Sequence, residues 1–75
     1  MLIAWICMNV IAGKEFDVFN ILKRIPGIKE VFVLYGIYDI ILKVEVDKLA
    51  DLQPLVFGKL SNIPFLKTTV TMIAK

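Results

Sequence analysis

Residues 18–29 of the chain, VFNILKRIPGIK, return 38 positions later as residues 56–67, VFGKLSNIPFLK. Six of the twelve aligned positions are identical: Val, Phe, Leu, Ile, Pro and Lys. The flanking segments agree in character, because the apolar pair Leu2 and Ile3 aligns with Ile40 and Ile41. Repeat arrays need about three copies for stability, so two copies indicate two similar halves of one domain.

Each half has the order strand, helix, strand. An apolar run opens it (2–11 and 40–46), and a second apolar run closes it (28–35 and 66–74). Between these runs, apolar residues recur every three or four positions, which is typical of one face of a helix. Each helical segment ends at an Ile-Pro pair, because proline cannot donate to the helix ladder and restricts the residue before it.

Residues 35–39, YGIYD, join the two halves. A glycine between two β-rich runs predicts a hairpin. Two βαβ units joined by a hairpin predict the ferredoxin-like βαββαβ fold of the α+β class, a four-stranded antiparallel sheet with both helices on one face. We expect residues 1–75 to form this single domain, with no helix-turn-helix. Pro54 leaves two interpretations of the second helix, a start near Asp51 or a kink at Pro54, and we favour the late start.

The composition excludes several classes of function. The chain has 75 residues, 59% of them hydrophobic, a net charge of +2, one Cys and no His. The basic residues are scattered singly, which predicts no direct nucleic-acid binding. The missing His and the single Cys remove His-dependent triads and Cys/His zinc sites, so we predict neither an enzyme nor a bound metal or cofactor. Residues 1–13 are too short for a spanning helix of about 20 residues, so we predict a buried strand and no membrane partner.

One face of the predicted sheet is too apolar for a monomer. Alternation along residues 40–46 places Ile41, Lys43 and Glu45 on the face away from the helices. The same parity on the other strands gives a candidate dimer interface of Ile3, Trp5, Cys7, Phe32, Leu34 and Ile41. Large apolar patches usually mark interfaces, so we expect a homodimer packed sheet on sheet about a two-fold axis. The alternative is that some of these side chains lie singly at the sheet rim.

Three segments of the chain resemble a known family. Residues 25–31, IPGIKEV, and 35–44, YGIYDIILKV, are similar to the C-terminal effector domain, or RAM domain, of the Lrp/AsnC family of prokaryotic transcription regulators. Residues 63–71, IPFLKTTVT, resemble its closing stretch, with Phe65 in place of a glycine and Val70 where polar residues are frequent. Tyr35 stands where Ser or Thr is common. The resemblance covers nearly the whole chain.

The resemblance implies a cytoplasmic sensor. Domains of this family dimerise through their sheets as a dimeric α+β barrel, and the dimers assemble into rings, often as tetramers of dimers. A small effector, typically an amino acid, binds between subunits near the hairpin, and a full-length Lrp/AsnC regulator is a further partner. Carried over position by position, the implied effector-binding residues are Tyr35, Gly36, Tyr38, Asp39, Thr69 and Thr71.

The chemistry of these residues suits a zwitterion, but plainer interpretations stay open. We expect Gly36 to adopt positive φ and to admit a carboxylate to the backbone, and Asp39 to pair with an ammonium. Both are alternatively plain turn residues, and the tyrosines plain cross-strand packing. Cys7 is interpreted as an inert buried thiol. By strand parity the two threonines lie on the helix side, unless a bulge shifts the register.

Two other classes of protein share this fold. A dimeric α+β barrel enzyme would need acid–base groups in a cleft between sheet and helices, and the predicted core offers none. An ACT-like amino-acid-binding regulatory domain has the same order of elements and a nearly identical role. Both remain alternatives to the Lrp/AsnC interpretation.

Overall fold

A computed structural model describes residues 1–74 and has the order of elements that the repeat predicts; residue 75, the last of the expected domain, lies outside the described residues. Four antiparallel strands form one sheet in the order β2-β3-β1-β4. The strands are β1 (Leu2–Val10), β2 (Ile28–Val33), β3 (Ile40–Val46) and β4 (Leu66–Ala74), and the helices are α1 (Glu15–Leu22) and α2 (Leu49–Gln53). The ferredoxin-like α+β fold is confirmed. Within residues 1–74, no helix has the length and apolar character that crossing a membrane requires.

The second helical segment begins earlier than predicted. Its α-helical part, α2, starts at Leu49, so the expected start near Asp51 is wrong. Pro54 has no N–H for the α-helical ladder, and from Pro54 to Lys59 the backbone widens into a π-helical segment, followed by a 3-10 turn over Leu60–Asn62. The helix therefore accommodates the proline by changing its hydrogen-bond spacing. The segment still buries three leucines, Leu52, Leu55 and Leu60.

The hydrophobic core lies between the sheet and the helices. β3 alternates as predicted, with Ile40, Leu42 and Val44 fully buried on the helix side. Helix α1 contributes Val18 and Leu22 from the opposite layer. Among the described residues no polar or charged side chain is buried. Because each fully buried aliphatic side chain contributes about 1.5–3 kcal/mol, this layer is the main source of stability in a single chain.

The sequence repeat is also a repeat of backbone irregularities. Gly27 and Phe65, which align in the repeat, both adopt left-handed conformations, with φ of 97° and 68°. Two residues later each half carries a bulge, because Lys29 is the extra residue of β2 against β3, and Lys67 that of β4 against β1. The two halves therefore enter their closing strands through the same turn and the same bulge.

Phe65 holds a conformation that glycine adopts in the first half. A left-handed backbone costs a residue with a Cβ about 1–2 kcal/mol. The Phe65 carbonyl accepts a hydrogen bond from the Ile11 N–H at 2.9 Å, and the Lys14 ammonium lies 4.9 Å from the ring centroid. These contacts help to hold the turn, so Phe65 takes the left-handed conformation that Gly27 takes in the first half.

Gly27→Ala should lower the free energy of unfolding by about 1–2 kcal/mol, because a Cβ is disfavoured at positive φ. An added Cβ at Gly27 meets no atom within 4 Å, so this cost is conformational. Gly36→Ala is the matched control, since its Cβ is equally unhindered and its φ is not positive. We expect the control to stay within about 0.5 kcal/mol of the native chain. Urea denaturation at one protein concentration measures both, and equal midpoints would contradict the prediction.

Candidate functional site

The hairpin between β2 and β3 holds four of the six predicted effector-binding residues. The Leu34 N–H donates to the Asp39 carbonyl at 2.8 Å and closes the loop. Tyr35 is fully exposed, whereas Tyr38 and Asp39 are half-buried. An open cavity of about 360 Å³ lies between this loop and the start of α1. Its lining is Glu15, Phe16, Val33, Leu34, Tyr35, Gly36 and Asp39.

Asp39 fastens the hairpin to β1. Its Oδ2 accepts a hydrogen bond from the Val10 N–H at 2.9 Å, and its own N–H donates to the Met8 carbonyl at 2.9 Å. Val10 is buried, so removing the carboxylate would leave its N–H without an acceptor. In the single chain the Asp39 carboxylate thus bonds the backbone of another strand, 29 residues away, and not the local backbone that the turn-residue interpretation expects.

Gly36 does not adopt the positive φ expected of it. The glycines at positive φ in the described part of the chain are Gly13 and Gly27. The connection between β2 and β3 spans residues 34–39, and loops of this length reverse the chain without the left-handed residues that two-residue turns need. The space around Gly36 is open, so a ligand can approach its backbone, although the local conformation does not require glycine.

The two threonines lie on the opposite edge of the sheet. Thr69 pairs with Met8 and Thr71 with Ile6, and both partners are fully buried on the helix side. Cross-strand partners share a face, so the threonines lie on the helix side, as strand parity indicates. The bulge at Lys67 precedes them and leaves this parity unchanged. Thr69 borders a cleft of about 310 Å³ against the π-helical segment, and Thr71 an adjacent groove of about 210 Å³.

Strand β1 separates the hairpin from the threonines. Asp39 bonds the Met8 carbonyl on one side of β1, and Thr69 pairs with Met8 on the other. Two strand spacings place these two backbones about 10 Å apart, beyond the hydrogen-bond reach of a single carboxylate or ammonium group. One chain therefore presents the predicted effector-binding residues as two separate sets.

The face of the sheet away from the helices, called the open face below, carries five of the six predicted interface residues. In the register of the sheet, Trp5 lies beside Lys43, Cys7 beside Ile41, and Phe32 beside Ile41 from the other side. Phe32 is 47% exposed, whereas Cys7 is 5% exposed and yet lies outside the helix-side core cluster. Five of the six residues thus share one largely uncharged face, which β4 extends with Val70 and Met72. The sixth, Leu34, lies past the end of β2 and lines the hairpin cavity.

A lysine stands in the middle of this apolar face. The Lys43 ammonium lies 3.6 Å from the Glu30 carboxylate and 5.8 Å from the centroid of the Trp5 ring. Sequence reasoning missed this pair, because the bulge at Lys29 sets the register that brings Glu30 beside Lys43. The alternating polarity of β2 and β3 indicates that Glu30 and Lys43 lie on the same face, but it does not specify which residues of the two strands pair.

These features are those of a small ferredoxin-like domain with solvent-open cavities and an uncovered sheet face. The chain matches the family model described as the Lrp/AsnC ligand binding domain over residues 13–75. It therefore belongs to that family of regulatory domains. Among curated protein sequences, none matches the chain significantly.

Solved structures share this fold over nearly the whole chain. Hypothetical protein PHS023 from Pyrococcus horikoshii is 44% identical, with a TM-score of 0.93 over 100% of this chain and 90% of that one. AsnC from E. coli is 22% identical, with a TM-score of 0.90 over 97% of this chain and 50% of that one. The transcriptional regulator NMB0573 from Neisseria meningitidis, solved with L-Met, is 17% identical, with a TM-score of 0.85 over 99% of this chain and 49% of that one. For the two regulators the likeness is one of fold.

Asp39→Ala should lower the free energy of unfolding by about 1–3 kcal/mol, because the buried Val10 N–H loses its acceptor. Asp39→Asn keeps an oxygen that can accept the same hydrogen bond, so we expect a smaller loss of about 0.5–1.5 kcal/mol. Chemical denaturation followed by circular dichroism compares the two variants. Wild-type stability in Asp39→Ala would show that this bond does not fasten the hairpin.

Proposed function

We propose that this chain is an amino-acid-sensing and oligomerisation module of the Lrp/AsnC type. It modulates transcription in the cytoplasm by assembling with a full-length Lrp/AsnC regulator or by competing with it for effector. It does so without enzymatic activity and without contacting nucleic acid directly. The observation that carries the proposal is the family's hairpin motif, Tyr35–Asp39, beside an open cavity at the end of an uncovered apolar sheet face.

The hairpin cavity offers a separate partner to each part of a free amino acid. The exposed backbone at Gly36 suits a carboxylate, and the Glu15 and Asp39 carboxylates suit an ammonium. Phe16 and Val33 supply an apolar surface for the side chain. The L-Met bound to the Neisseria regulator, which has the same fold, supports amino acids as the first ligands to test.

The separation of the two sets of residues supports a site between subunits. Thr69 and Thr71 provide neutral hydroxyl donors, but β1 stands between them and the hairpin of the same chain. A second copy removes this obstacle if its β4 approaches the hairpin from outside. We therefore place the effector between the hairpin of one copy and the threonines of another.

The exposed apolar surfaces support a homodimer and further assembly. The open face would be covered by a second sheet packed about 10 Å away, as in other face-to-face sheet pairs. A second apolar surface lies on the helix side, where Leu49, Phe57 and Ile73 are exposed. Two distinct apolar surfaces on one chain favour a dimer that assembles further, as in the rings of the family.

Tyr35→Ala should weaken binding of the best amino acid about 5- to 150-fold, or about 1–3 kcal/mol, because Tyr35 lines the hairpin cavity. A thermal-shift panel of the standard amino acids identifies that ligand, since binding to the native state raises stability. Calorimetry then compares Tyr35→Ala with Ile37→Ala, which alters another strongly exposed residue of the same loop, outside the cavity lining. Equal affinities in the two variants would move the site away from the hairpin. No binding of any amino acid to the wild type would contradict amino-acid sensing.

Trp5→Glu should convert the assembly to smaller species, because it replaces a large apolar side chain of the interface with a carboxylate, and removing that carboxylate from water is costly even beside Lys43. Asn20→Glu is the control, since it adds the same charge at an exposed residue of α1 that lines none of the described cavities. Sedimentation at micromolar protein measures the mass of each variant. A wild type that sediments as an 8.5 kDa monomer would contradict the dimer. An intact assembly in Trp5→Glu would exclude the open face as its interface.

A further inference from the structure

Any dimer that covers the open face buries Lys43. This residue is the midpoint of β3, and β3 and β1 are the two inner strands of the sheet. Its side chain is already only 25% exposed in the single chain. Its neighbours on the same face include the apolar side chains of Trp5 and Ile41. Removing an ammonium from water costs free energy unless it is paired. The covered face must therefore supply an acceptor for the Lys43 ammonium.

The single chain does not fully satisfy the Lys43 ammonium. An ammonium carries three N–H donors, and Glu30 is its one ion-pair partner among the described residues. The separation of 3.6 Å is longer than the roughly 2.7–2.9 Å of a close charge-assisted hydrogen bond. The Glu30 side chain is 47% exposed, so its carboxylate keeps acceptor capacity directed out of the chain. Both partners can therefore form a second interaction when another chain covers the face.

We propose that Lys43 of one copy pairs with Glu30 of a second copy, and reciprocally, so that the open face selects a partner with its own charge pattern. The inference rests on the proposed sheet-face dimer and names the residues that give it specificity. In a two-fold interface, if residue i of one copy contacts residue j of the other, then residue j of the first copy also contacts residue i of the second. The two Lys43 ammonium groups and the two Glu30 carboxylates then form a cluster of alternating charges in the middle of an apolar surface. Two of its ion pairs lie within a chain and two lie between chains.

Glu30 is better placed for this role than the other carboxylate of the face. Glu45 pairs with Ile3 toward one end of the sheet, where it borders a cavity with Met1 and Asp51. Glu30 pairs directly with Lys43 in the middle of β3. A related sheet face without this Lys–Glu pattern would leave both charges buried and poorly paired. That cost lowers the affinity for the wrong partner and so favours a second copy of this chain.

Exchange between wild type and a charge-swapped chain tests the proposal. In a mixture of wild type with Lys43→Glu/Glu30→Lys, each intersubunit pair of a heterodimer joins like charges. Native mass spectrometry should therefore find the heterodimer reduced at least about tenfold below its statistical proportion, in which it equals the two homodimers combined. The control swap, Lys14→Glu/Asp17→Lys, reverses an exposed pair at the start of α1, 3.7 Å apart, and should exchange statistically with wild type.

A second mixture tests the same contact in the opposite direction. Lys43→Met keeps only Glu30, and Glu30→Gln keeps only Lys43, so their heterodimer alone restores an intersubunit pair. This heterodimer should exceed its statistical proportion. If circular dichroism shows that the charge-swapped chain does not fold, this second mixture alone tests the intersubunit pair. Statistical exchange in these mixtures, or an enriched heterodimer between wild type and the swapped chain, would overturn the pairing. A folded swapped chain that does not dimerise with itself would overturn it as well. A monomeric wild type would instead overturn the sheet-face dimer.

Discussion

The alternation of residues along β1 and β3 is the constraint on which the rest of the structure depends. Both strands are interior, and each sends one set of side chains beneath the helices and the other to the open face. A shift of one residue in their pairing would exchange the two sets and place Lys43 in the helix-side core. Since that core contains no buried charge among the described residues, the register is strongly specified. The positions of the hairpin, the threonines and the open face all follow from it.

The repeat and the alternation predict the fold well because both arise from local regularities. The bounds of β3 and β4 agree with the apolar runs 40–46 and 66–74. The misses occur where the backbone departs from regular geometry. Pro54 predicted a late helix start, but the chain keeps the helix by widening it, and Gly36 lies in a loop long enough to avoid positive φ. The Lys43–Glu30 pair depends on a one-residue bulge, which hydrophobic pattern alone does not reveal.

The internal symmetry explains why irregular features recur at equivalent places. In each half a left-handed residue turns the chain from its helix, and a bulged lysine follows at the start of the closing strand. The first turn uses Gly27, whereas the second uses Phe65 despite the steric cost of a Cβ. Tertiary contacts from Ile11 and Lys14 to Phe65 show how the second half holds the same path without glycine. The two halves are thus more similar in backbone conformation than in sequence.

The same strand connects the candidate effector site with the candidate interface. Asp39 ties the hairpin to β1 at Met8 and Val10, and β1 presents Trp5 and Cys7 to the open face. In the proposed assembly, an effector held between two copies binds only the associated state. Its binding free energy then adds to that of association, and by linkage association raises the apparent affinity for the effector by the same factor. In this proposal, the location of the site between subunits couples effector concentration to assembly without a change of fold within one chain.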